Sequence, residues 1–225
     1  MYRFIVFLAV VVLMSGFAVG EAFGENFAGS LGSTEGELEG VGDWINAGSA
    51  TIVWEITDMG THYHYEYALS VLGKKAKDIS HFIIEVSPTF GQDNFEEATG
   101  AFRSTEIGDF DDGNGNPDIP GELHGLKFDG TSGTTLTISF DSDREPVWGD
   151  FYAKGGGKPT NQVWNAGFSA SDPTAAPSDG TVGNHILVPD SMSIDVLVPE
   201  PSTVALLVTG LLGLMVSISW RVRGP

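Results

Sequence analysis

Residues 51–72, TIVWEITDMGTHYHYEYALSVL, indicate the class of fold more directly than any other stretch of the chain. Residues 51–57 are β-branched and aromatic, which favours a strand. Residues 61–72 alternate apolar with polar side chains over a length that is typical of a half-buried strand. Because Asp58, Met59 and Gly60 supply a turn between the two runs, the stretch predicts a β-hairpin.

Further strands are predicted on the C-terminal side of this hairpin. They fall at residues 81–87, 123–128, 134–141, 147–153, 162–168 and 192–198, with a short helix at 95–102 and an exposed loop at 169–183. The connecting segments hold many of the 30 glycines and 11 prolines. Short strands with such connections predict a mainly β domain, an antiparallel β-sandwich or a jelly-roll-like fold, over residues 50–197. Residues 21–49 are acidic and glycine-rich, and they predict a flexible segment.

The N-terminus has the layout of a secretory signal peptide. Arg3 is the only charged residue before an apolar run at residues 4–14, and small residues follow at Ala18 and Gly20. We therefore expect a signal helix at residues 1–20 that engages the secretion translocase and signal peptidase. An uncleaved N-terminal anchor is the alternative, and either version exports the chain across the inner membrane.

The C-terminus carries a second membrane-directed pattern. The motif Val198-Pro199-Glu200-Pro201 precedes an uncharged stretch, residues 202–220, which ends at Arg221 and Arg223. At roughly 1.5 Å per residue the stretch reaches about 28 Å, close to the roughly 30 Å hydrocarbon core of a bilayer. We predict a transmembrane helix at 202–220 with its C-terminus in the cytoplasm. A buried helix of a soluble domain is the alternative.

This tail, residues 198–225, resembles the PEP-CTERM sorting signal. The resemblance implies an exosortase-type protease as partner and processing close to the Pro-Glu-Pro motif. It implies a transient inner-membrane anchor, followed by release or attachment at the cell surface of a bacterium that exports polysaccharide. The residues that carry it are Val198, Pro199, Glu200, Pro201, Arg221 and Arg223. It implies no activity for the region between the two ends.

The charge of the middle region excludes one class of partner. All 30 acidic residues lie between Glu21 and Glu200, and this interval holds 8 of the 11 basic residues, which makes a net charge of −22. So acidic a chain argues against nucleic acid and anionic lipid as partners. The chain has no cysteine, so disulfides and thiolate chemistry are excluded.

Residues 109–118, DFDDGNGNPD, form a candidate calcium site. Oxygen-bearing side chains recur along this stretch, and Ca²⁺ requires several oxygens at about 2.3 to 2.6 Å. The spacing departs from an EF-hand loop because Pro117 stands where glycine is expected. A cluster of turn residues without an ion is the alternative. The candidate ligands are Asp109, Asp111, Asp112, Asn114, Asn116 and Asp118.

Two further groups of residues are candidates for binding. His62, His64 and Glu66 project from one face of the predicted strand and can begin a zinc or iron site; the solvent face of a strand is the alternative. Trp148, Tyr152 and Trp164 are candidates for stacking on sugars, and burial in the core is the alternative.

No catalytic residues are predicted. The chain contains neither a GxSxG elbow nor an HExxH motif. We therefore expect an exported, non-catalytic protein of the cell surface or extracellular matrix, whose ectodomain binds exopolysaccharide or another surface partner. Besides the zinc or iron that His62, His64 and Glu66 can begin to bind, Ca²⁺ is the cofactor that the sequence suggests. A secreted glycan hydrolase or metal-dependent enzyme that uses acidic residues is the alternative.

Overall fold

The computed structural model describes residues 24–46, 49–73, 77–158 and 160–193, and it confirms a mainly β chain with antiparallel sheets. The described residues contain one short α-helix, α1 (Asp43–Asn46). The strands are β1 (Asn26–Gly32), β2 (Leu38–Val41), β3 (Ser49–Asp58), β4 (Tyr63–Leu72), β5 (Ile79–Glu85), β6 (Phe95–Gly100), β7 (Ser104–Phe110), β8 (Leu123–Asp129), β9 (Thr135–Ser142), β10 (Arg144–Gly149), β11 (Phe151–Gly155), β12 (Gln162–Asn165) and β13 (Ile186–Ser193).

The predicted hairpin lies at the centre of a five-stranded sheet of order β1-β3-β4-β9-β6. β3 and β4 pair antiparallel without interruption from Ser49 opposite Leu72 to Asp58 opposite Tyr63. Gly60 adopts a φ of 82° in the turn, and its N–H donates to the Asp58 carboxylate at 2.6 Å. The alternation along β4 buries one face of the strand, namely Tyr65, Tyr67, Leu69 and Val71.

A six-stranded sheet of order β2-β12-β11-β5-β8-β7 lies opposite the first sheet. Aromatic rings from the two sheets meet in a common core. The ring centroids of Tyr67 and Phe82 are 6.2 Å apart, and those of Phe140 and Phe128 are 6.0 Å apart. Each such buried side chain stabilises the fold by roughly 1.5 to 3 kcal/mol. This shared core holds the two sheets face to face.

A two-stranded ribbon of β10 and β13 closes the core. The Tyr65 hydroxyl donates to the Arg144 carbonyl at 2.7 Å, and the Tyr67 hydroxyl donates to the Leu187 carbonyl at 2.8 Å. Both tyrosines are thus buried with their polar atoms satisfied, as buried hydroxyls require. The ribbon thereby fixes one wall of the cleft described below.

Several segments differ from the sequence predictions, among them β7, which was not predicted, and β13, which begins six residues before the predicted strand. The predicted helix at 95–102 is wrong, because residues 95–100 form β6 and pair with β9. Residues 147–153 form parts of two strands, since the chain leaves the ribbon at Gly149 and joins the six-stranded sheet at Phe151. Residues 24–46 form β1, β2 and α1 where a flexible segment was predicted. They are anchored by side chains that are buried despite the polar composition around them: Leu31, Leu38 and Trp44.

The membrane-directed predictions fall on other parts of the chain. Within residues 24–46, 49–73, 77–158 and 160–193, the structure contains no helix with the length and apolar character needed to cross a bilayer. The predicted signal peptide at 1–20 and transmembrane helix at 202–220 lie outside the described residues.

Candidate functional site

An acidic cleft of about 850 Å³ opens where β5 and β7 end and β8 begins. The ribbon and the loop after β12 form its other walls. Its described lining contains four carboxylates and no lysine or arginine. The lining residues are Glu85, Val86, Ser87, Pro88, Asp109, Glu122, His124, Val147, Trp148, Asp172, Pro173, Thr174, Val188 and Pro189.

Glu85, which lines the cleft, is joined to the buried Asp150 by two hydrogen bonds. The Asp150 N–H donates to Glu85 Oε2 at 2.8 Å, and the Glu85 N–H donates to the Asp150 carbonyl at 2.8 Å. Burial raises the pKa of Glu85 to about 8, and the negative charges of Asp172 and Asp150 add to this effect. Glu85 is therefore largely protonated at neutral pH.

The Asp150 carboxylate is held by Asn165, which is fully buried at the end of β12. Asn165 Nδ2 donates to Asp150 Oδ1 at 2.6 Å, while Asn165 Oδ1 accepts the Phe151 N–H at 3.0 Å. Burial raises the pKa of Asp150 to about 6, an effect that Asn165 and His185 oppose. Burial also raises the pKa of Asp172, against the influence of His185.

His185 faces both carboxylates from the start of β13. Its Nε2 atom lies 3.5 Å from Asp150 Oδ1 and 3.6 Å from Asp172 Oδ1. Its Nδ1 atom lies 3.2 Å from the Val182 carbonyl. Within the part of the chain that the structure describes, Asp150, Asp172 and His185 are the group of three acidic or histidine side chains whose donor atoms all lie within 4.8 Å of one another.

A second histidine lies at the rim of the cleft. His124 on β8 stands opposite Asp109 on β7, and its Nδ1 atom lies 2.5 Å from Asp109 Oδ1. Asp109 remains largely exposed to solvent. The rim thus offers an acidic side chain whose orientation is set by a neighbouring strand.

The predicted calcium stretch forms a cover over the outer face of the six-stranded sheet. Asp109 faces the cleft, Asp112 Oδ1 accepts the Asp118 N–H at 2.8 Å, Asp111 is exposed and Asn116 is buried. Asn114 ends a single 3-10 turn, Asp112–Asn114. Two loop carbonyls accept hydrogen bonds from β11: Pro117 from the Tyr152 hydroxyl at 2.7 Å, and Gly115 from Lys154 at 2.9 Å. Calcium binding here stays a prediction.

Below this cover lies a small apolar cluster that gives the stretch a structural role. The cluster is separate from the main core and consists of Ile83, Phe110, Ile119, Leu123, Tyr152 and Phe168.

The structure brings His62 and His64 to Asp141 on the neighbouring strand β9. His64 Nδ1 lies 2.6 Å from Asp141 Oδ1, and His62 Nε2 lies 3.6 Å from Asp141 Oδ2. Glu66 is exposed, opposite Ser139 on one neighbouring strand and Glu55 on the other. Asp141 therefore replaces Glu66 as the carboxylate that contacts both histidines. A metal at this place stays a prediction.

The three predicted aromatic ligands do not share a site. Trp148 is buried in the core at the edge of the cleft. Tyr152 is fully buried on the face of the six-stranded sheet that points away from the main core. Its ring stacks on the half-buried Trp164 of the neighbouring strand, with 6.5 Å between the ring centroids. Tyr152 therefore presents no free ring face to a sugar, and Trp148 contributes only an edge of the cleft wall.

Sequence reasoning missed the group that the lining residues Glu85 and Asp172 form with their buried neighbours Asp150 and His185. Glu85, Asp150, Asp172 and His185 come from the end of β5, the β10–β11 junction, a loop and the start of β13, so no local spacing links them. One local signal preceded His185: Gly183 and Asn184, both at φ 60°, form a tight turn that closes a bridge between Val182 and His185.

Comparison with known proteins gives a result for the tail alone. No curated protein and no solved structure matches the chain significantly. Residues 197–223 match the PEP-CTERM protein-sorting motif. The PEP-CTERM match contains the predicted sorting residues, and it confirms the resemblance that the Pro-Glu-Pro motif suggested. The motif implies export, sorting to the cell surface and processing by exosortase-type machinery.

Proposed function

We propose that this protein is an exported, non-catalytic component of the cell surface or extracellular matrix, whose β-domain binds a neutral polysaccharide in the acidic cleft. The PEP-CTERM motif supports the route. The observation that carries the ligand class is the lining of the cleft, which combines carboxylates with an apolar wall.

The chemistry of the lining suits a sugar chain. Sugar hydroxyls donate hydrogen bonds to carboxylates, and the apolar faces of the rings pack on apolar side chains. The carboxylates Asp109, Glu122 and Asp172 stand beside a wall that contains Pro88 and Pro173. A cleft without a described lysine or arginine repels uronic acids, so a neutral polysaccharide is the better ligand.

Glycan binding by the full chain, purified in detergent and kept in EDTA, tests this proposal. We expect binding to neutral polysaccharides, weaker binding to uronic-acid polymers, and no release of reducing ends. Asp109→Asn combined with Glu122→Gln should weaken binding at least fivefold. Glu66→Gln is the matched control, because Glu66 is an exposed carboxylate on the five-stranded sheet. Absence of binding to any neutral polysaccharide of the panel would contradict the proposal.

An exported glycan hydrolase is a second candidate, and one observation favours it. The protonated Glu85 shares a cleft with the carboxylates Asp109, Glu122 and Asp172, and glycosidases pair an acid with a carboxylate. This candidate predicts release of reducing ends from the same panel and loss of that activity in Glu85→Gln. Turnover that Glu85→Gln abolishes would replace the binding proposal with this one.

A further inference from the structure

His185 is buried next to Asp172 of the cleft, and recognition of sugar hydroxyls leaves its presence there unexplained. The side chain is 1% exposed, and its Nε2 atom has no hydrogen-bond partner among the residues that the structure describes. A carbonyl oxygen can only accept, so the contact between Nδ1 and the Val182 carbonyl at 3.2 Å places the ring proton on Nδ1. The lone pair of Nε2 then points at Asp150 and Asp172, which themselves offer only lone pairs when ionised.

Three groups of electron-pair donors therefore converge on one point. Such an arrangement is unfavourable unless a cation lies between the donors. An additional proton on Nε2 would reduce the repulsion between the donors only in part. The distances of 3.5 and 3.6 Å from Nε2 to the two carboxylate oxygens exceed the length of a charged hydrogen bond.

A metal ion matches these separations better. Ligands at about 2.1 Å from a tetrahedral metal lie about 3.4 Å from one another. The two distances from His185 Nε2 are close to that value, and all three donor atoms lie within 4.8 Å of one another. Asp172 is the more exposed of the two carboxylates, so its side chain has the greater freedom to adjust to an ion.

The surroundings orient the donors as the surroundings of a metal site do. Asn165 holds Asp150 through a hydrogen bond of 2.6 Å, and the Val182 carbonyl fixes the tautomer of His185. Gly167 lies so close to the ring that a Cβ atom there would stand 2.6 Å from His185 Cε1. The ring is therefore held in place from two sides.

We propose that Asp150, Asp172 and His185 bind a divalent transition-metal ion, with Zn²⁺ as the best fit, and leave one coordination position open toward the cleft. One imidazole with two carboxylates suits Zn²⁺, whereas Ca²⁺ and Mg²⁺ prefer oxygen alone. The Asp172 side chain is 44% exposed, which gives the ion a path from the cleft. The site shares no residue with the predicted calcium stretch, whose Asp109 lines the same cleft, and it does not depend on polysaccharide binding.

The proposal is tested by isothermal titration calorimetry, in which Zn²⁺ is added to the full chain after EDTA treatment and removal of the EDTA. We expect one Zn²⁺ per chain whose binding depends on His185, retained in excess Ca²⁺ and Mg²⁺, and a tetrahedral visible spectrum with Co²⁺. Asp172→Asn should weaken Zn²⁺ binding at least about tenfold while the circular dichroism spectrum is unchanged. His185→Gln should abolish binding and the Co²⁺ spectrum.

Asp109→Asn is the matched control, since it removes one negative charge from the same cleft but no proposed ligand. We expect it to change the Zn²⁺ affinity less than about twofold, as diffuse charge attraction is weak and screened by salt. Absence of stoichiometric binding, displacement of Zn²⁺ by Ca²⁺, or equal losses in Asp172→Asn and Asp109→Asn would overturn the proposal. Because polysaccharide binding is measured in EDTA, the two proposals fail independently.

Discussion

His81 on β5 shows how one buried side chain couples stability to pH. It is buried between Lys154 on β11 and Asp129 on β8, with the ring of Tyr152 6.0 Å away. Burial lowers the pKa of His81 to about 4, and the charges of Lys127 and Lys154 add to this, while Asp129 and a hydrogen bond with the Asn116 side chain oppose it. The unfolded histidine has a pKa near 6.5.

The free energy of unfolding should therefore fall as the pH falls from about 6.5 to about 4, because only the unfolded state binds the proton in that window. His81→Gln removes the contribution of this proton to the pH dependence of stability. Between pH 7.5 and pH 4.5 we expect the variant to lose about 2 kcal/mol less stability than the natural chain does. Urea denaturation in EDTA, with each protein referred to its own value at pH 7.5, measures the difference. Parallel pH profiles would contradict the buried, neutral histidine.

At the scale of elements, a buried hydrogen bond attaches the β10–β13 ribbon to the five-stranded sheet. The Tyr67 hydroxyl joins β4 to β13 through the Leu187 carbonyl at 2.8 Å, in a fully buried setting. Tyr67→Phe leaves that carbonyl buried without its donor, which should lower the free energy of unfolding by about 1 to 3 kcal/mol.

Tyr63→Phe is the control for this prediction, since Tyr63 lies on the same strand but is only half-buried. We expect it to cost less than about 0.5 kcal/mol, as is usual for surface positions. Chemical denaturation of both variants measures the contrast. Equal effects would mean that the Tyr67 hydrogen bond contributes nothing measurable to the attachment of the ribbon.

The two ends of the chain set a prediction at the scale of the whole molecule. The PEP-CTERM match at residues 197–223 implies processing by exosortase-type machinery, and the N-terminus has the layout of a signal peptide. Mass spectrometry of the mature protein from its host should find a chain that lacks residues 1–20 and 202–225.

Replacement of both Pro199 and Pro201 by alanine should leave residues 202–225 attached, because the change alters the sorting motif and none of the described fold. Glu66→Gln, on the exposed face of β4, should be processed like the natural chain. A mature natural protein that retains residues 202–225 would contradict exosortase-type processing.

The sequence by itself determined the route, the mainly β class and the central hairpin. These properties depend on local patterns: an apolar run with arginines at its end, or alternation along β4 that buries Tyr65 and Tyr67. Such patterns involve residues that are close together in the chain, so they can be recognised without knowledge of the tertiary structure.

Only the tertiary structure decided where the chemistry lies. Asp150, Asp172 and His185 meet because the chain leaves the ribbon at Gly149 and a loop returns beside β13. Residues 95–100 form a strand because β9 offers an edge to pair with, which their local composition did not show. Contacts of this kind join residues that are distant in the chain, and local propensity carries little information about them.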